Sequence, residues 1–261
     1  MLIDLLIIGF VGLALYGLYS WLTETDSPER MLGRHIHRLR EQAKGRAPVL
    51  YLRSFSGQGL RLADIKSAFV GKTIPGTEAH WKDAGHWILS VLDVIGPPVE
   101  LASPAGASGL QPWSPSRPRA ERVANEDWQK QVLALLPRAA LVVVQLDASP
   151  GLAWEMEQLV HRVSPTRILL VLPSTEADYG RLLASTAGWF PRPLPRRLPD
   201  SRLMAFRANW EPLALEAKGA PGGVWHTLEP VFQRNGYEAP DWRRAYKIGE
   251  HSVSSKGSAR G

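Results

Sequence analysis

One stretch of the chain places carboxylates beside a sharp turn. Residues 147–155 read DASPGLAWE and follow 140–146 (ALVVVQL), an apolar run without alternation. That pattern belongs to a strand buried on both faces. Asp147 leaves the strand end, and Pro150 and Gly151 turn the chain into a helix expected over 152–163. Glu155 then stands about one turn into that helix. Leu152, Met156, Leu159, Val160 and Val163 form its apolar stripe. Glu155 flanks the stripe, Glu157 points further toward water, and Trp154 falls opposite the stripe. A carboxylate held at a strand end can act as a nucleophile, or can stabilise a carbon that turns electron-poor as a bond breaks. Glu155 can equally be a helix-start acid favoured by the macrodipole. Trp154 can equally pack against a neighbouring loop or subunit.

The elements that must position this loop alternate in type. Residues 48–53 (PVLYLR), 99–102, 140–146, 167–173 (RILLVLP) and 203–208 are strand candidates. Helical spacing covers 81–96, 126–138, 152–163, 178–189 and 224–235. Residues 103–120 are rich in Pro, Gly, Ser and Ala and read as a long loop. The expected fold class is α/β: a flavodoxin-like parallel sheet of about five strands with helices on both faces. Its order, counting strands along the chain, is 2-1-3-4-5. The first and third strands are then neighbours whose connections leave to opposite faces, so the crevice at their carboxyl ends is the ligand site. This singles out 53–59 (RSFSGQG) and 147–155. Arg53 at the first of these suits a structural salt bridge as well as a ligand contact.

Residues 147–155 resemble the nucleoside 2-deoxyribosyltransferase loop. There an Asp ends a strand and a Gly precedes the nucleophilic Glu by four positions, the spacing of Gly151 and Glu155. More loosely, the stretch is similar to the TIR-like (Toll/interleukin-receptor) superfamily, in which a Trp and a Glu on the corresponding helix border a nicotinamide-nucleotide pocket. PVLYLRSF followed by GLAWE also looks like bacterial membrane-tethered TIR-like domains. The resemblance covers about residues 48–175, half of the chain. It implies chemistry at an N-glycosidic bond, with NAD or a related nucleotide as substrate or ligand and no further cofactor. Glu155 attacks or stabilises the anomeric carbon in an oxocarbenium-like transition state. Asp147 orients sugar or base, Trp154 stacks on a ring beside the Gly151 turn, and Arg53, Ser54 and Ser56 hold phosphate or ribose hydroxyls. The stretch departs from these patterns at Leu152, where a small hydroxyl residue is expected, and in the adjacency of Trp154 and Glu155. Gln158 stands where the TIR spacing puts the Glu, and residues 54–58 hold no acid. A non-catalytic nucleotide-sensing or self-associating signalling module of the same fold, acting as a homo-oligomer, stays open beside the enzyme.

The amino-terminal end carries a different message. Residues 2–22 (LIDLLIIGFVGLALYGLYSWL) hold one charge, Asp4. At about 1.5 Å per residue the run is long enough to cross a bilayer. Tyr16, Tyr19 and Trp21 suit an interface, and a cleaved leader lacks its basic start and small-residue cleavage site. Arg30, Arg34, Arg38, Arg40, Lys44 and Arg46 follow the run, and no Lys or Arg precedes it. The positive-inside rule puts the remainder in the cytoplasm. The expected organisation is an anchor over 1–23, a basic amphipathic linker over 24–46, a cytosolic domain over 47–242 and a basic disordered tail over 243–261. A helix over 27–44 has Met31, Leu32, Ile36 and Leu39 as its stripe, and its arginines face either lipid phosphates or water.

Composition narrows the remaining classes. The chain has 261 residues, 44% of them hydrophobic and 21% charged, which excludes wholesale disorder and collagen. Without cysteine there is no disulfide framework and no thiolate chemistry. The net charge of +6 admits anionic surfaces and nucleotides, but no basic-aromatic nucleic-acid motif is present. Ten tryptophans point to core or interface packing. No metal site is expected. His35 and His37 point apart on a helix, and His80 and His86 fall on different faces. Gly71-Lys72-Thr73 lacks the earlier glycine of a phosphate loop, and no G-x-S-x-G turn occurs. Residues 191–199 (PRPLPRRLP) form a stiff basic connection, either solvated or laid against lipid or a partner.

Overall fold

A computed structural model describes residues 28–53, 84–102, 119–122, 128–146, 150–217 and 223–245. The apolar run 2–22 and the tail 246–261 lie outside them. Among the described residues no helix is long and apolar enough to cross a membrane.

The strands are β1 (Val49–Arg53), β2 (Pro98–Ala102), β3 (Arg119–Arg122), β4 (Leu141–Gln145), β5 (Ile168–Val171), β6 (Leu203–Phe206) and β7 (Pro212–Ala214). They form one seven-stranded sheet in the order β3-β2-β1-β4-β5-β6-β7. Pairing is parallel from β3 through β5 and antiparallel between β5, β6 and β7. The fold is therefore a mixed α/β architecture with a mostly parallel sheet. The five strands anticipated from sequence stand in the expected order, and their bounds fall within two residues of expectation.

The helices are α1 (Pro28–Ala43), α2 (Ala84–Leu92), α3 (Trp128–Leu135), α4 (Pro150–Arg162), α5 (Glu176–Ser185), α6 (Gly223–Arg234) and α7 (Trp242–Ala245). Strand alternation divides the core in two. Val49, Tyr51, Leu141 and Val143 face a cluster built with α1, α2, α6 and α7. Leu50, Leu52, Val142 and Val144 face a second cluster built with α3, α4 and α5. The period-two backbone makes this separation unavoidable wherever a strand is buried on both faces.

Four expectations need correction. Residues 119–122 are a strand, although they fall at the end of the expected loop. They pair in parallel with β2, and a backbone ladder does not require the apolar pattern that RAER lacks. β6 ends at Phe206 and runs antiparallel to β5. The chain crosses the α5 face twice, once as helix and once through 186–202, and so returns to the end where β5 finished. There Leu172 N donates to Arg202 O at 2.9 Å. The helix expected to reach 189 stops at Ser185, where the Thr186 hydroxyl donates back to Leu182 O at 2.9 Å. Pro137 ends α3 early, and Leu136–Arg138 continue as a tighter turn.

The expected linker is part of the folded unit. Leu32, Ile36, Leu39 and Ala43 on α1 are buried, the first three of them within the first cluster, so this stripe faces protein. Arg40 Nε donates to Asp93 Oδ1 at 2.7 Å and Arg40 Nη2 to Ser90 O at 2.8 Å, which clamps α1 to the end of α2. At the other end of the chain, Arg243–Ala245 fall within α7 although the tail was expected to start there. Trp242 is buried, stacks on His226 at 4.7 Å, and lies under the Arg243 guanidinium at 4.6 Å. Gly96 marks a close approach where the chain prepares to enter β2. A Cβ there would come within 2.0 Å of the Ala47 carbonyl oxygen.

Candidate functional site

β1 and β4 run side by side, and their last residues, Arg53 and Gln145, are paired in register. α2, described between β1 and β2, lies on one face, while α4, after β4, lies on the other. The carboxyl ends of β1 and β4, where a helix lies on each face, are the position at which open α/β sheets take ligands. Of the residues singled out from sequence, Ser54, Ser56 and Asp147 lie outside the described residues. Arg53, Gly151, Trp154 and Glu155 are in place: Arg53 closes β1, and the other three lie in the first two turns of α4.

Glu155 is 3% exposed. Sequence periodicity placed it beside the apolar stripe. The structure buries it together with Leu152, Met156 and Leu159. Burying a carboxylate costs several kcal/mol unless the surroundings compensate.

Trp154 is half-buried, and its ring meets Trp128 of α3 edge-on, with centroids 4.9 Å apart and planes at 73°. The lone position opposite the stripe is thus explained by an aromatic partner inside the same domain. Such edge-to-face pairs contribute about 0.5–1.5 kcal/mol beyond burial.

Arg53 Nε lies 2.6 Å from Glu100 Oε1. Glu100 sits on β2 and is 4% exposed. The salt-bridge reading of Arg53 therefore holds. One register step inward, Tyr51 Oη donates to Gln145 Oε1 at 2.5 Å. These four side chains lie on the α1–α2 face of the sheet, whereas Trp154 and Glu155 come from the α4 face. A polar quartet thus stands on one face at the carboxyl ends of β1 and β4, and the helix that follows β4 carries a buried carboxylate on the other.

Sequence reasoning passed over Glu100, Tyr51 and Gln145, although two of them carried a signal. Glu100 is the one charge in PVELA, and Gln145 is the one polar residue in LVVVQ. A single polar residue inside an otherwise apolar strand marks a place where hydrogen bonding must be met internally.

The other candidates resolve simply. His35 is taken up by the protein: its Nε2 is 3.1 Å from Glu238 Oε1, and its Nδ1 accepts from Asp241 N at 3.1 Å. Among the described residues no group of three His, Asp or Glu side chains is placed to hold a metal ion. Residues 71–73, His80 and Asp83 lie outside the described residues, as does the side chain of His86. The basic proline-rich connection is fastened over α5. Tyr179 Oη donates to Pro195 O at 2.8 Å, and Leu198 N donates to the Glu176 carboxylate at 3.2 Å. Leu194 and Leu198 are buried, while Arg192, Arg196 and Arg197 reach water. Beside this connection a cleft of about 370 Å³ runs along the back of α4, lined by Glu157, His161, Trp189 and Phe190. Comparison with family models, curated proteins and solved structures found no match to this chain.

Proposed function

We propose that the chain is a membrane-anchored, TIR-like domain of flavodoxin-like topology. It binds a nucleotide or nucleoside at the β1–β4 crevice and cleaves the N-glycosidic bond, with an NAD-like molecule as substrate. The observation that carries this reading is the burial of Glu155 one turn into the helix that follows β4. In the reaction the C1′–N bond breaks and its electron pair leaves with the base. The Glu155 carboxylate stabilises the electron-poor C1′ or bonds to it. Water or a second acceptor hydroxyl then forms the new C1′–O bond and gives up its proton. Asp147 orients the sugar or base, and Arg53, Ser54 and Ser56 hold phosphate or ribose hydroxyls. The apolar run 2–22, followed by Arg30, Arg34, Arg38 and Arg40, supports an anchor that leaves the domain in the cytoplasm.

A second reading has its own support. Arg53 is held by Glu100 and Trp154 by Trp128, so two side chains expected to grip a ligand already serve the fold. This favours a module that senses a nucleotide, or self-associates, without chemistry. One experiment separates the two. Purified full-length protein in detergent is incubated with NAD, NADP and a set of nucleosides, and free base is followed by chromatography. Base release that disappears in Glu155→Gln while the melting temperature holds supports the enzyme. A ligand that raises the melting temperature and is never consumed supports the sensor.

A further inference from the structure

A cleft of about 620 Å³ lies between α1 and the carboxyl-terminal segment, far along the chain from the candidate catalytic loop. Arg34 and Arg38, one turn apart on α1, face Arg244 of α7 across it, together with Glu238 and Asp241. All three arginines are exposed. The two carboxylates are partly spoken for. Glu238 lies 3.1 Å from His35 Nε2 and 3.6 Å from Arg38 Nη2, and Asp241 Oδ1 accepts from Arg244 N at 3.0 Å. These contacts fasten the segment to α1 and hold the three guanidinium groups on one surface. Past the end of α1, Arg46 is also exposed and extends the positive charge, while Lys44 is paired with Glu41 at 2.7 Å.

We propose that this surface docks on anionic lipid headgroups, so that the domain lies against the membrane by its α1–α7 side. Three observations choose that partner. The apolar stripe of α1 is committed to the core, so α1 cannot enter lipid and meets a membrane only through charge. The planar guanidinium forks suit phosphate oxygens. Five residues, 23–27, separate the apolar run from α1. Fully extended they span about 20 Å. Arg34 and Arg38 lie about 9 and 15 Å along the helix from Pro28. The whole surface is therefore within reach of the bilayer that the run enters. The net charge of the cleft is modest, and a tether makes a modest charge sufficient by holding the two surfaces at high effective concentration.

The proposal rests on the anchor reading, and the experiment separates the two. The chain has no cysteine, so Gln42→Cys at the exposed end of α1 provides one labelling site. Labelled full-length protein is reconstituted into nanodiscs of phosphatidylcholine alone, or with about one-third phosphatidylglycerol. Each disc carries a headgroup acceptor for energy transfer. Transfer is expected to be higher on the anionic discs and to fall with added salt as the screening length drops below about 8 Å. It is also expected to fall when Arg34, Arg38 and Arg244 are changed together to Gln. Each arginine contributes about fivefold to the docked-to-undocked ratio. Arg181→Glu on α5, across the sheet, leaves transfer unchanged. Protein that enters both discs with transfer blind to lipid charge and salt overturns the docking and leaves the anchor standing. Protein that stays out of both overturns the anchor and the docking together. The salt titration needs no variant, so a triple substitution that fails to fold does not rescue the idea.

Discussion

Two arginine–carboxylate pairs stand at opposite ends of the sheet. Arg40 and Asp93 meet at 2.7 Å where α2 gives way to the approach to β2. Arg53 and Glu100 meet at 2.6 Å toward the carboxyl ends of β1 and β2. The chemistry is the same, but the settings differ. The first joins two helices and adds a bond to the Ser90 carbonyl, with both side chains 25% exposed. The second spans neighbouring strands beside the crevice, with Glu100 deeply buried and Arg53 reaching outward. An amino end that is only structural can tolerate any stable clamp. A carboxyl end that takes a ligand must hold its cation in a set direction.

The sharpest way to break the amino end is Gly96→Ala. The added methyl would overlap a backbone oxygen that cannot move independently. Loss of about 3 kcal/mol or more is expected, read as a lost or greatly lowered thermal transition. The two pairs come next. Arg53→Met strands a buried carboxylate and should cost about 3 kcal/mol in denaturant titration, whereas Arg40→Met strands a half-buried one and should cost about 2 kcal/mol. They should part company on ligand. A nucleotide that stabilises the wild type should stabilise Arg40→Met by the same amount and Arg53→Met by less. Equal responses would remove the functional distinction between the ends.

A smaller effect is confined to Asp93. Burial pushes its carboxyl up to about 6, against the pull of Arg40. A carboxyl raised in the folded state contributes stability that is complete below its unfolded value near 3.8 and is lost as pH rises through 6. Stability from this group should therefore increase as pH falls from 7 toward 5, by roughly 1 kcal/mol. Asp93→Asn should flatten that slope in melts taken across the range. The smallest stability change belongs to Glu155→Gln, which keeps the shape, removes the buried charge and exchanges one acceptor oxygen for a donor. A shift within about 1 kcal/mol is expected, alongside complete loss of any base release.

The centre of the sheet was legible because 49–53, 141–145 and 168–171 are almost wholly apolar, and only double-faced burial asks for that. Their order followed from alternation with helices, and the order located the crevice. β3 was illegible because an outer strand asks little of its side chains. The reversed direction of β6 depended on the second crossing through 186–202, whose Pro-rich sequence says nothing about where it returns. At the site, helical periodicity put Glu155 at the flank of its stripe. Its burial depends on what α4 rests against, which a single-helix projection does not contain. Trp154 looked misplaced for the same reason until Trp128 supplied its partner.

The outer strands have a consequence for how copies of the chain can meet. One side of the sheet ends in β3, with Arg, Glu and Arg among its four residues, and the other in the three-residue β7, which begins with Pro212. Charge, brevity and a missing amide are the usual defences against strand-by-strand addition between molecules. Among the described residues neither outer strand invites pairing between molecules, which leaves helix and loop surfaces for an assembly of copies. Such an assembly can dissolve and re-form without breaking a single hydrogen bond of the sheet.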